Sequence, residues 1–237
     1  MGSSQNENYA NQLELVSVSH DITQQTDMNL VPLAEVINKI RKGIYKIPVR
    51  KIREFAAKGD AEMVAKLKKN LPYFVLSIIK GNRRAENVSQ ANGIVFDFDH
   101  VKDIEAFKKL AATKIPGAKY VFRSPNDGVK VLVQFSRAVT EKKLYKFIWD
   151  ALAQEAENLL GVKPDATADM CRACFVSYDA DLISTHNEPL DVEMFRQGCG
   201  DRGRGVPITG HPSLRTVRAV LPHTALQKTG ISFKRLA

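Results

Sequence analysis

Two alternating runs, Ala118 to Arg123 and Val129 to Phe135, flank Ser124-Pro125-Asn126-Asp127-Gly128. Pro, Asn, Asp and Gly in succession are strong turn formers, so residues 118–135 read as a β-hairpin. A hairpin makes its two strands antiparallel, which excludes a purely parallel doubly wound sheet. Upstream, Gly93 to Asp99 reads as a strand, and Asp103 to Thr113 as a helix with Ile104, Phe107 and Leu110 inward. Downstream, Thr140 to Leu160 reads as the longest helix, with Thr140 as N-cap and Gly161 as its stop, and Met170 to Tyr178 as a further strand. Strand, helix, hairpin, long helix and strand in that order predict an α+β sheet with helices packed on it.

The strand before the hairpin carries the chemistry. In Ile94-Val95-Phe96-Asp97-Phe98-Asp99-His100, two carboxylates stand two residues apart. On a strand they share a face, with Phe96 and Phe98 on the other. Two acids held together beside apolar surface repel each other and lose solvation. A hard cation such as Mg²⁺ or Mn²⁺, which prefers carboxylate oxygen, offsets both costs.

The N-terminal part reads differently. Residues 12–19 alternate as a strand. Asn29 to Lys42 is predicted as an amphipathic helix, with Leu33, Val36, Ile37 and Ile40 on one face. Two basic helices follow, Val49 to Lys58 and Asp60 to Lys69 with Asp60 as N-cap, and then a strand-like run from Leu71 to Ile79 and a basic loop, Gly81-Asn82-Arg83-Arg84. Residues 1–11 read as disordered, 12–196 as the core (a basic helical part at 30–70 and a motif-bearing part at 71–190), and 197–237 as a basic linker and tail with one helix near Ser213 to Leu221.

Charge follows the same division. The net charge of +9 resolves into −5 over residues 1–37, +11 over 38–84, −3 over 85–196 and +6 over 197–237. An acidic middle between basic flanks suits a cation held in the middle and a polyanion on the flanks. A solvated Lys-rich face accounts for the 38–84 block equally well. Three cysteines argue against a disulfide framework. Cys171 and Cys174 have zinc-knuckle spacing but no second pair, and a strand would turn them to opposite faces, so no zinc is expected. No apolar run approaches membrane-spanning length and no signal-peptide pattern opens the chain, so the sequence predicts a soluble intracellular protein without a membrane partner.

Further candidates lie in the hairpin and beyond it. Ser124, Gly128 and Lys130 together have the makings of a phosphate cradle, though a plain turn with an exposed lysine has the same spacing. Asp165 follows the long helix, with Asp169 and Arg172 close behind. Asp165 is placed to complete a three-carboxylate site, or else is a loop acid. His100 reads as a polar residue at the strand end, and Trp149 as core.

Three pieces in order, Gly-Ile-Val-Phe-Asp-Phe-Asp-His, Phe-Arg-Ser-Pro-Asn-Asp-Gly-Val-Lys-Val and Asp-Ala-Thr-Ala-Asp-Met-Cys-Arg-Ala-Cys-Phe-Val-Ser-Tyr-Asp-Ala-Asp, resemble the VirE N-terminal-domain family of the archaeo-eukaryotic primase (primase-polymerase) superfamily. The resemblance spans roughly residues 70–190. It implies a primase catalytic core, an RRM-like sheet beside a second small α/β unit. It implies that Asp97 and Asp99 are the metal-binding Asp-x-Asp. Ser124, Asn126, Gly128 and Lys130 would contact the triphosphate, with Lys130 where most of the superfamily has His and this branch commonly has Lys. Asp165 would be the third metal acid, with Asp169 as its substitute, and Arg172 would face the nucleotide phosphates. Arg83, Arg84 and Arg123 are candidate nucleic-acid contacts. The implied activity is nucleotidyl transfer on a single-stranded DNA or RNA template, with nucleoside triphosphates and two Mg²⁺ or Mn²⁺ ions, in the cytoplasm of a bacterium or encoded by a phage or plasmid, with a helicase in the same or a neighbouring chain. Two alternatives remain: a haloacid-dehalogenase-like phosphatase with Asp97 as nucleophile and Asp99 as acid/base, and a non-catalytic nucleic-acid-binding module.

Overall fold

A computed structural model describes residues 12–20, 22 and 27–200. The expected helix near Ser213 to Leu221 and the 1–11 segment lie outside the described residues. Among those residues there are six α-helices and two antiparallel sheets, a mixed α+β architecture. No helix among them is long and apolar enough to cross a membrane.

The first sheet has the order β2-β1-β3-β8, from β1 (Leu15–Ser19), β2 (Asn29–Pro32), β3 (Tyr73–Val75) and β8 (Cys174–Phe175). The second has the order β4-β5-β7-β6-β9, from β4 (Ser77–Ile79), β5 (Val88–Phe98), β6 (Ala118–Arg123), β7 (Val129–Val139) and β9 (Ile183–Ser184). The helices are α1 (Leu33–Lys42), α2 (Lys46–Ala57), α3 (Ala61–Lys69), α4 (Ile104–Lys114), α5 (Lys142–Leu160) and α6 (Glu193–Gly200).

Several boundaries differ from expectation for identifiable reasons. Residues 29–32 form a strand and not the first turn of a helix. Pro32 biases Val31 towards extended backbone, and Asn29 to Pro32 pair antiparallel with β1. The run Leu71 to Ile79 is two strands in two sheets, parted at Leu76. The carbonyl of Leu76 accepts from Asn92 N–H at 2.8 Å, so this one residue links the sheets. The expected strand Met170 to Tyr178 shrinks to Cys174 and Phe175, because its first residues are engaged in a turn around Asp169. Glu141 and not Thr140 precedes α5, with no side-chain cap, while Gly161 ends that helix at φ +70° as the left-handed C-cap requires. Asp60 caps α3 as expected, accepting from Met63 N–H at 3.0 Å.

One face of the second sheet (Ile94, Phe96, Phe98, Val129, Val131 and Val133) packs under α4 and α5 against Phe107, Ile148 and Trp149. The opposite face (Val95, Tyr120, Phe122 and Leu132) shares a core with α1, α2 and α3 through Ile37, Ile40, Val49, Ile52 and Val64. This second face changes from apolar to charged at one end of β5 and β7, where Asp97 stands opposite Lys130. The functional candidates gather at that end.

Candidate active site

Register is the first determinant. Asp97 and Lys130 are direct cross-strand partners, and the Lys130 ammonium is ion-paired with Asp97 Oδ2. Lys130 is buried. Burial alone would lower its pKa, but the Asp97 carboxylate outweighs it and holds the ammonium above the usual lysine range. The other Asp97 oxygen, Oδ1, is buried with no hydrogen-bond partner. Asp99 lies just past the end of β5, before His100 turns the chain at φ 58°. Its carboxyl is raised by burial first, and then by the negative charges of Asp97 and Asp165.

Asp165 reaches this end of the sheet through the backbone. Its N–H donates to the carbonyl of Asp97 at 2.9 Å. Its side chain is ion-paired with Arg172 at 3.6 Å. Asp169 is engaged elsewhere: its Oδ1 accepts from Cys171 N–H at 2.9 Å and from the Cys171 thiol at 3.1 Å. Of the two acids considered for the third position, Asp165 is the one tied to the Asp97–Asp99 strand.

The hairpin turn abuts that strand as well. Gly128 permits a close approach, but to protein: a Cβ there would fall 2.6 Å from the Phe98 carbonyl and 2.7 Å from Asp99 Oδ1. The Ser124 hydroxyl accepts from Gly128 N–H at 2.8 Å and from Asn126 N–H at 3.2 Å. With its acceptor sites engaged inside the turn, the hydroxyl proton remains for a ligand. Asn126 contributes its backbone to the turn. Arg123 pairs with Asp127 at 2.8 Å, and exposed Arg84 lies 3.8 Å from Glu86.

A pocket of about 270 Å³ is lined by Asp97, Asp99, Ser124, Lys130, Arg172 and Arg83, with Lys68, Pro125, Ile22, Ala173 and Phe175. Asp165, Gly128, Asn126, Arg84, Arg123 and Asp169 are not part of this lining.

Five contributors escaped the sequence reading. Lys68 sits in a helix end rich in lysine, where nothing separates it from Lys66 and Lys69. Arg53, on α2, donates to the carbonyls of Ser124 at 2.9 Å and Tyr178 at 3.0 Å, and its Nε lies 2.9 Å from Asp127 Oδ1. Burial lowers its pKa, with Arg123 adding to the effect. Lys108 is fully buried and paired with Asp179 at 2.7 Å, and Asp179 also accepts from Arg123 N–H at 2.8 Å. Ser177 Oγ donates to the Arg123 carbonyl at 2.6 Å. Arg53, Lys108, Ser177 and Asp179 therefore clamp the hairpin turn to the segment after β8. Lys108 had a legible signal. Residues 104, 107, 108, 111, 112 and 115 follow helical spacing, and a lysine inside that apolar stripe demands a buried partner. Leu110, expected inward, is exposed for the same reason.

Donor chemistry at this end of the sheet suits a hard divalent cation: three carboxylates, one with an orphaned buried oxygen. Among the described residues, though, no three acid, His or Cys side chains are drawn together closely enough to ligate an ion. Lys130 and Arg172 hold two of the carboxylates instead.

Comparison with solved structures finds three of note. The primase-polymerase domain of cyanophage S-2L is 10% identical, with 82% of this chain and 94% of that one covered and a TM-score of 0.44. The catalytic domain of primase RepB′ in complex with initiator DNA is 17% identical, covering 85% and 98%, with a TM-score of 0.39. A second RepB′ primase structure is 15% identical, covering 83% and 61%, with a TM-score of 0.39. Among curated proteins nothing matches. The model of the BT4734-like N-terminal domain matches residues 66–183, a stretch that contains Asp97, Asp99, the hairpin, Asp165 and Arg172. Through that stretch the chain belongs to the BT4734-like N-terminal domain family, a VirE N-terminal-like family.

Proposed function

We propose that the protein is a nucleotidyltransferase of the primase-polymerase type, building or extending a strand from nucleoside triphosphates on a single-stranded template. The observation that carries this reading is the meeting of Asp97 and Asp99 with Lys130, Arg172 and Ser124 in one pocket, with Asp165 tied to Asp97 through its backbone and to Arg172 through its side chain. The ordered motifs shared with the primase-polymerase superfamily support it.

Mg²⁺ or Mn²⁺ held by Asp97, Asp99 and Asp165 would supply Lewis acidity at the attacking hydroxyl and leaving oxygen. The chain's own groups do the rest. Lys130 and Arg172 neutralise the triphosphate by exchanging their carboxylate partners for phosphate oxygens. Ser124 donates its free hydroxyl proton to the same group. Arg53 and the Lys108–Asp179 pair hold the turn in place, so the Ser124 contact needs no reorganisation on binding. The basic face of α1, α2 and α3 offers a template strand a run of lysine and arginine, with salt-sensitive affinity.

The raised pKa of Asp99 also suits the acid/base role that the phosphatase alternative requires. It follows equally from burial, with the negative charges of Asp97 and Asp165 adding to it. The deciding experiment gives the protein a primed single-stranded template, nucleoside triphosphates and Mn²⁺. Extension of the primer supports the proposal. Hydrolysis of p-nitrophenyl phosphate without polymer supports the phosphatase, and a salt-sensitive gel shift with no product supports the binding module.

A further inference from the structure

One wall of the pocket is a ladder of cations and aromatic rings. Tyr73 of β3 and Phe175 of β8 stand opposite each other in register, with their rings edge to face at 6.3 Å. The Lys68 ammonium lies over Phe175, 5.7 Å from the ring centroid. The Arg83 guanidinium lies over Tyr73 at 5.4 Å. Arg83 is fixed further by donating to the Cys171 carbonyl at 3.2 Å. Lys68, Arg83 and Phe175 all line the pocket.

These two cations differ from the other two in the pocket. Lys130 has Asp97 and Arg172 has Asp165. Among the described residues neither Lys68 nor Arg83 is ion-paired with a carboxylate. An aromatic face is a weak partner, worth about 0.5–2 kcal/mol. It orients a cation without satisfying its charge. Lys68 is half-buried, and burial, followed by the positive charge of Lys130, holds its pKa below the usual lysine range. An arriving anion relieves both effects.

Resting on the nucleotidyl-transfer reading of this pocket, we infer that Lys68 and Arg83, braced on Phe175 and Tyr73, form a second phosphate subsite beside the one made by Lys130, Arg172 and Ser124. Its ligand is a phosphate group, either from the polyphosphate tail of a nucleotide or from the backbone of a bound strand. Arg83 supplies a fixed fork and Lys68 a mobile point charge. The ladder stands on the first sheet, to which Tyr73 and Phe175 belong, while Asp97 across the pocket belongs to the second.

The test is calorimetric and needs neither metal nor turnover. Inorganic tripolyphosphate and a twelve-residue oligothymidylate are each titrated into the full chain in EDTA, using wild type, Lys68→Met, Arg83→Gln, Lys68→Arg and the distant surface control Lys109→Met. Loss of one charge-assisted contact weakens binding about tenfold. If the subsite holds a nucleotide tail, both neutralising variants lose that affinity for tripolyphosphate and keep it for the oligonucleotide. If it holds a strand, the oligonucleotide weakens, the salt slope falls by about one and tripolyphosphate is unaffected. In either case Lys68→Arg recovers most of the loss and Lys109→Met matches wild type. Variants that bind both probes as wild type does, with unchanged thermal midpoints, overturn the subsite and leave the nucleotidyl-transfer reading standing. A wild-type chain that binds neither probe overturns the subsite, and primer extension with Mn²⁺ decides the nucleotidyl-transfer reading separately.

Discussion

The backbone N–H of Asp165 donates to the carbonyl of Asp97 at 2.9 Å. This one bond brings the loop after α5 onto the edge of the acid-bearing strand. It sets Asp165 near enough for its negative charge to help raise the carboxyl of Asp99. Asp169, four residues on, is turned away by its bonds to Cys171.

From that division, Asp165→Asn is expected to reduce nucleotide incorporation at least a hundredfold with little change in thermal midpoint. Asp169→Ala should do the reverse. It removes the acceptor for the Cys171 N–H and thiol, costing about 1–2 kcal/mol of stability, while most of the incorporation rate survives. Steady-state incorporation and a thermal melt on the two variants check this.

Lys108 and Asp179 form the most deeply buried ion pair among the described residues. Lys108→Met leaves Asp179 with an uncompensated charge away from water, an expected loss of about 3–5 kcal/mol. The double variant Lys108→Met/Asp179→Asn is expected to recover part of it. Urea unfolding of the single and double variants measures the difference.

Gly128→Ala forces a Cβ against the Phe98 carbonyl and Asp99 Oδ1, both backed by the strand. We expect a loss of about 2 kcal/mol or more and a larger fall in incorporation, because the displaced atom belongs to an acid of the site. Gly161→Ala, whose Cβ meets open space, pays only for its left-handed backbone, about 1 kcal/mol. Denaturation curves and incorporation assays separate the two.

Burial pushes the Cys171 thiol up to about 11 and the Cys174 thiol up to about 12. Both are therefore neutral at pH 8 and poor nucleophiles. In the folded protein at pH 8, iodoacetamide should leave both unmodified over an hour, whereas in 6 M guanidinium both react. Peptide mass mapping reads the outcome.

The hairpin, its turn and the acid-bearing strand were legible because turn chemistry and alternation are local signals. Asp97 and Asp99 were legible for the same reason. The pairing of Asp97 with Lys130 depends on strand register, which becomes visible only once β5 and β7 are laid side by side. Lys68 was hidden because a pocket lysine and a solvated one look alike in a Lys-rich helix. Arg53 was hidden because its partners, Ser124 and Tyr178, are backbone carbonyls far along the chain. The split of Leu71 to Ile79 was hidden too, since a continuous apolar run does not reveal that its halves join different sheets.

The most direct test of the account is Mn²⁺ binding, followed by electron paramagnetic resonance with a non-hydrolysable nucleoside triphosphate present. We predict tight Mn²⁺ uptake by wild type, with at least tenfold weaker binding by Asp97→Asn and by Asp165→Asn and no change in Asp169→Asn. Uptake that is absent in wild type, or equal in all four proteins, would contradict a shared site built from Asp97, Asp99 and Asp165.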